Sequence, residues 1–197
     1  MLAKRLDHLY SAEILLERTR LSLREWILAS MLGLTWVIAA AIAEDLREFA
    51  LLAFFSIPFI VVSVTDIEAR IIPNRVVYPF MVLALALSWA WPDRGALEAI
   101  LGAAAGFGFI LLPFVLSGGH GIAAGDVKLA ALIGAAAGWP AVIAGLLVGV
   151  VAGGIAAVAV GLRARSRTAS FAYGPYLALG GVIALLAGED IIDWYAG

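Results

Sequence analysis

The sequence predicts an all-α fold, a polytopic membrane helical bundle of about seven transmembrane helices with a cytoplasmic N-terminus. Three observations carry that expectation. Of the 197 residues, 63% are hydrophobic and only 14% charged, whereas a soluble domain holds about 25% charged and about 45–50% apolar residues. The apolar residues fall in runs close to the ~20 that a helix needs to cross a bilayer. Laid across a membrane, those runs sort the basic residues to one side.

The candidate spans are Trp26–Ala43, Phe49–Thr65, Val76–Trp91 and Ala99–Ser117, then an uncharged run from Leu129 to Leu162, and finally Phe171–Gly188. The run of 34 residues suits two short helices better than one. The break falls at "GWP", Gly138–Pro140, because proline lacks the amide and clashes with the preceding turn. The first of the two helices then begins near Ala123 and carries Asp126 in its first turn. With seven spans and the N-terminus inside, only Arg47 and Arg94 of the 13 basic residues lie outside, as the positive-inside bias requires. A six-span layout moves "RARSR" outside and loses the partition.

Three regions follow. Residues 1–25 mix apolar and charged positions at helical spacing and read as an amphipathic helix on the cytoplasmic surface. They contain no apolar core of a signal peptide, so no removable leader is expected. Residues 26–188 form the membrane domain, with "ARSRTAS" (164–170) as its one clear linker. Residues 189–197, "EDIIDWYAG", read as a short extracytoplasmic tail with Trp194 and Tyr195 at the interface. Gly102/Gly106, Gly134/Gly138 and Gly145/Gly149/Gly153 have the small-xxx-small spacing that lets helices approach closely.

Composition also excludes function classes. A net charge of −2 with no basic patch argues against a nucleic-acid partner. The absence of cysteine excludes disulfides, cysteine–zinc sites and thiol chemistry. The partner that composition does require is the lipid bilayer of a cell membrane, crossed several times. It leaves monomer and homo-oligomer both open.

Against this background two carboxylates stand out. Asp66 ends the second span in "VVSVTDIEARIIPNRVVYP", and Asp126 begins the fifth in "GIAAGDVKL". Both are expected at the cytoplasmic edge of the apolar region, where an ionisable group is costly and by default marks function. Two carboxylates brought close in a low dielectric cannot both ionise, so the pair holds one proton. The ionised member can take a proton from water, and the protonated member can polarise a carbonyl and later protonate the leaving amine. That is aspartic peptide hydrolysis, and it calls for no cofactor and no metal. Gly125 permits the close backbone approach such a site needs.

These residues carry a family resemblance. "DIEARIIPN", Asp66–Asn74, is similar to the first catalytic element of the type IV prepilin peptidases, an aspartate followed by Ile/Leu-Pro-Asn/Asp. "GDVKL", Gly125–Leu129, is similar to their second motif, Gly-x-Gly-Asp followed by a hydrophobic residue, Lys and Leu. "FAYGPYLALGGVIALLAG", Phe171–Gly188, resembles their C-terminal Pro-Phe-Gly-Pro-Phe-Leu-Ala-Leu-Gly block. The resemblance runs from about Phe49 to Gly188. It implies an intramembrane aspartic endopeptidase, with Asp66 and Asp126 catalytic, that removes short basic leaders from type IV pilins, pseudopilins or archaellins at the cytoplasmic face.

Two departures bear on that expectation. Ala123 replaces the first glycine of Gly-x-Gly-Asp, which predicts tuned rather than absent activity. Larger bacterial members carry an extra cytoplasmic segment, usually with cysteine pairs, associated with N-methylation. This chain has no cysteine and only a short loop, Glu44–Glu48, between its first two spans, so a peptidase without that module is expected.

Supporting roles fall to five residues. Pro73 and Asn74 shape the turn after the second span, with Asn74 a further hydrogen-bond candidate near the dyad. Ala123 and Gly125 set the backbone before Asp126. Lys128 is read either as orienting a carboxylate or contacting substrate, or as an anchor that snorkels to the interface. Tyr173, Gly174 and Pro175 read either as groove lining or as a helix start. Glu68 and Arg70 read as solvated, and His120 as a loop residue, since an aspartic mechanism needs no histidine. Two rival functions remain in view. A presenilin or signal-peptide-peptidase type protease shares the Gly-x-Gly-Asp logic, but its Pro-Ala-Leu motif is absent. A small cation- or proton-coupled transporter could use Asp66 and Asp126 as a relay, but such groups usually sit near the midplane between repeated halves.

Overall fold

The computed structural model describes residues 25–92, 94–119, 122–164 and 172–197. The expected N-terminal surface helix, the linker beyond residue 164 and His120 lie outside these residues. The described chain is all-helical, with seven α-helices: α1 (Glu25–Ile42), α2 (Leu46–Ala69), α3 (Asn74–Ala86), α4 (Ala96–Leu116), α5 (Ala124–Ala137), α6 (Ala141–Ala164) and α7 (Gly174–Ala196). A short 3-10 turn, Ser88–Ala90, follows α3. The long uncharged run does divide at Gly138–Pro140, where Gly138 adopts a positive φ of 78° and closes α5.

Five of these helices, α1, α2, α4, α6 and α7, are long and apolar enough to cross a membrane. The other two are short, α5 as the break at Gly138 predicts and α3 because it ends at Ala86 rather than Trp91. At 13 and 14 residues, α3 and α5 rise only about 20 Å each at ~1.5 Å per residue, against a hydrocarbon core of about 30 Å. α5 compensates by burial. From Asp126 to Ala137 all but one of its residues are buried, packed among α3, α4, α6 and α7. The exception is the half-buried Lys128.

Small residues make that packing close. A methyl group at Gly102 or Gly106 of α4 would run into the α5 carbonyls of Gly134 or Ala130, and one at Gly134 would run into Gly102. The same device joins α6 to α7, where Gly145 and Gly180 face each other's carbonyls. Backbones in contact gain dispersion and exclude lipid, which is the main source of helix association where no hydrophobic effect operates. α1 is held to α2 more lightly, through the Trp36 indole N–H, which donates to Ala53 O at 3.1 Å and Ser56 Oγ at 3.3 Å.

Helix ends differ from the expected spans in two informative places. α2 runs past Thr65 to Ala69 and stops at Arg70, whose φ of 53° is left-handed and whose N–H donates back to Asp66 O. Asp66 therefore lies inside the last turn of α2. α7 continues through the acidic segment to Ala196, so residues 189–196 extend the helix.

The far end of the bundle is closed by Arg94. Its guanidinium lies 3.7 Å from the Trp91 ring centre and donates to the carbonyls of Ala136 and Ala137. Those are last-turn carbonyls of α5, which have no partner within the helix.

Candidate active site

Asp66 and Asp126 reach the same end of the bundle from opposite helix termini. Asp66 sits one turn before the C-terminus of α2, and Asp126 is the third residue of α5. They are 6% and 4% exposed, and their carboxylates lie within electrostatic reach of each other. Apart from these two, the buried polar side chains are hydroxyls, Thr35, Ser56, Ser63 and Ser88. Asp66 and Asp126 are thus the buried ionisable pair among the described residues.

Each carboxylate is held by a backbone amide. Ala123, the residue before α5, donates its N–H to Asp126 Oδ2 at 2.8 Å. An acidic side chain at the third helical position reaching back in this way satisfies an orphan donor and sits where the helix dipole favours negative charge. Gly174, the first residue of α7, donates its N–H to Asp66 Oδ2 at 2.9 Å across 108 positions of sequence. That contact depends on glycine, because a Cβ at residue 174 would stand 2.7 Å from the same oxygen.

The neighbouring Tyr173 is within electrostatic reach of Asp126. Its ring lies where a side chain at Gly153 of α6 would otherwise go, and its hydroxyl is 3.4 Å from Val150 O. The start of α7 thus touches one carboxylate and faces the other. From sequence, residues 173–175 fit either groove lining or a helix start. Position 174 is a helix start that also grips Asp66. The signal for it was the glycine inside "YGPY", a small residue directly ahead of a helix-starting proline.

The five supporting residues also gather here. Pro73 is the cap residue before α3 and Asn74 its first residue. Lys128 Nζ donates to Asn74 Oδ1 at 2.6 Å, tying α3 to α5 beside the dyad, and lies 5.8 Å from the Tyr78 ring centre. The partner found for Lys128 is therefore an amide oxygen rather than a carboxylate. Gly125 faces Ile72, whose Cβ would be 3.1 Å from an added methyl. The α2–α3 connection thus packs directly on the first turn of α5. Ala123 has φ −92° and ψ 153°, an extended conformation open to any residue. Its replacement of glycine loses no backbone freedom that this conformation uses.

Among the described residues, no three His, Cys, Asp or Glu side chains are placed to hold a metal ion. The arrangement instead provides two buried carboxylates, each with one oxygen fixed, which is suited to proton transfer at a bound water and carbonyl.

Comparison with known proteins gives this geometry a family. The model of the type IV leader peptidase family matches residues 53–158, a stretch containing both aspartates. A prepilin leader peptidase/N-methyltransferase of Bacillus subtilis strain 168 is 36% identical over 154 residues, covering 77% of this chain and 60% of the relative. One from Aeromonas hydrophila is 29% identical over 170 residues, covering 82% and 59%. A third, from Escherichia coli K12, is 32% identical over 159 residues, covering 75% and 70%. The chain thus spans about three fifths of the length of the first two. No solved structure matches it. With more than half of its residues inside the family model, and with this identity to its relatives, the chain belongs to the type IV leader peptidase family.

Proposed function

We propose that this protein is an intramembrane aspartic endopeptidase of the cell membrane, which removes the short basic leader from type IV prepilin-like precursors at the cytoplasmic face. The observation that carries the proposal is the pairing of Asp66 and Asp126, buried and each gripped by a backbone N–H at one end of a membrane bundle.

Held close in low dielectric, the two carboxylates share a single proton. The ionised member takes a proton from a water, and the water oxygen adds to the scissile carbonyl carbon. The protonated member donates to the carbonyl oxygen as it becomes tetrahedral. Collapse of that intermediate breaks the C–N bond, and the amine leaves with a proton from the carboxyl that received one from water. The two fixed oxygens keep the acid and base from rotating out of line.

Arg70, Arg75 and Lys128 stand on elements at the dyad end, while Arg47 and Arg94 stand at the other. The positive-inside bias therefore supports a cytoplasmic dyad. A catalytic pair at that depth reaches a bond at the end of a transmembrane helix, and a small residue before the bond lets the backbone extend between helices. The substrate is accordingly a basic leader, a glycine before the cut and a hydrophobic helix after it. The transporter reading is weaker, because both carboxylates lie at one end of the bundle rather than near its middle. The proposal is confined to hydrolysis.

The test uses purified protein in lipid nanodiscs with a synthetic prepilin-type peptide, and sequences the N-terminus of the product. Asp66→Asn and Asp126→Asn should each lower the rate by about 10³-fold, within the ~10²–10⁴ contributed by an acid–base group, while leaving the fold intact. Near-wild-type cleavage by either variant removes that residue from the mechanism.

A further inference from the structure

We propose that the groove between α1, α2 and α7 is the docking site for the hydrophobic helix of the substrate, the segment that follows the scissile bond. The inference rests on the peptidase reading above and adds where its substrate lies.

The groove encloses about 410 Å³ and is lined almost wholly by apolar side chains. Along α7 its wall runs from Pro175 to Ala187 through Leu179, Val182 and Ile183, about 18 Å of helix at ~1.5 Å per residue. These positions recur three and four residues apart and so form one face. Leu34 and Ile38 of α1 supply the opposite wall, and Ile60 and Ser63 of α2 the floor.

The groove also contains two hydroxyls, and both are satisfied within their own helices. Thr35 Oγ1 donates to Met31 O and Ser63 Oγ to Phe59 O, each at 2.9 Å. The surface left over asks for an apolar occupant and has no unmet need for water.

Position singles the groove out from the rest of the lipid-facing surface. Ser63 lies one turn before Asp66 on α2, and Pro175 follows Gly174, whose N–H grips Asp66. One end of the groove therefore lies within a helical turn of Asp66. The other catalytic helix presents no such face, since α5 is enclosed by α3, α4, α6 and α7. A substrate helix lying along α7 would have its cytoplasmic end beside Asp66 and its remaining turns still in the membrane. This is helix-in-groove recognition, with anchors at i, i+3/i+4 and i+7. The lightly held α1 is the wall that can adjust to it.

Two measurements test the inference with full-length protein in nanodiscs. The probes are a peptide with a basic leader, a glycine and a twenty-residue apolar helix, and the same peptide truncated a few residues after the glycine. Val182→Trp, which fills the groove, should lower the ratio of kcat/KM for the long over the short peptide at least tenfold. Val151→Trp, on an exposed part of α6, should leave that ratio within twofold of wild type. A photoreactive p-benzoylphenylalanine at the exposed Leu179 should crosslink the long peptide in an Asp126→Asn background, and the same group at position 151 should not. An unchanged ratio for Val182→Trp, or crosslinks from position 179 only to lipid or to residues 1–24 of the chain, overturns the groove. If wild-type protein cleaves neither peptide, the peptidase reading fails, and the docking role with it. If it cleaves both and the groove variants behave as wild type, only the docking site is wrong.

Discussion

Gly174→Ala is the sharpest probe of the dyad, because it adds a single methyl to a residue with no reactive group. That methyl would stand 2.7 Å from Asp66 Oδ2, 2.8 Å from Cγ and 3.0 Å from Cβ. Ordinary contact begins at 3.4 Å, so the carboxylate or the start of α7 must retreat by about 0.7 Å. A misplacement of about 1 Å in a catalytic group costs on the order of 10²-fold. The shift also stretches the 2.9 Å bond from the Gly174 amide, and hydrogen bonds to charged groups contribute about 1.5–3 kcal/mol. We expect kcat to fall about 30- to 100-fold, with a stability loss of about 1–3 kcal/mol from overpacking.

The assay is cleavage of the prepilin-type peptide in nanodiscs, read beside thermal unfolding of the same sample. Gly181→Ala is the matched control on α7. Its methyl meets buried apolar atoms, Ile133 Cγ1 at 2.9 Å and Phe59 Cδ1 at 3.2 Å, and neither carboxylate, so it should cost stability while leaving kcat within about threefold. A folded Gly174→Ala protein with wild-type kcat would refute the view that this amide positions Asp66.

Three further outcomes are expected. Ala123→Gly should leave cleavage within about threefold of wild type, since φ −92° asks nothing of glycine, and should change stability little, since glycine's added chain entropy is offset by its preference over alanine at a helix N-cap. That result would correct the expectation of tuned activity, and a large gain in rate would restore it. Lys128→Met and Asn74→Ala should each lower kcat modestly. The double variant should be no worse than either alone, because one 2.6 Å bond links the two; full additivity in a double-mutant cycle would show that they act separately. In this cysteine-free chain, Arg70→Cys should react with an impermeant thiol reagent only from the cytoplasmic side, and Asp193→Cys only from outside. Labelling of Arg70→Cys only from outside and of Asp193→Cys only from the cytoplasm would reverse the topology.

Much of this protein was legible in its sequence because the membrane makes local signals strong. Continuous apolar runs had to become helices, since a backbone in lipid must satisfy its own hydrogen bonds and the alternative, a closed barrel, needs short alternating strands. Proline and glycine at "GWP" had to separate α5 from α6. Asp66 and Asp126 were conspicuous because charge is rare in such a chain. What one-dimensional reading could not supply was the depth and rotation of each helix. The early end of α3, the run of α2 past Asp66 and the continuation of α7 to Ala196 depend on capping and burial. Lys128 had several plausible partners in sequence, and the packing of α3 on α5 selected Asn74. The amide of Gly174 meets Asp66 across 108 positions because α7 packs along α2, with Gly181 close against Phe59 and Gly174 against Asp66 itself. Hydropathy declares that a residue lies in a membrane helix and near which of its ends. Which backbone N–H that residue meets is decided by how closely the helices pass, and only the assembled bundle decides that.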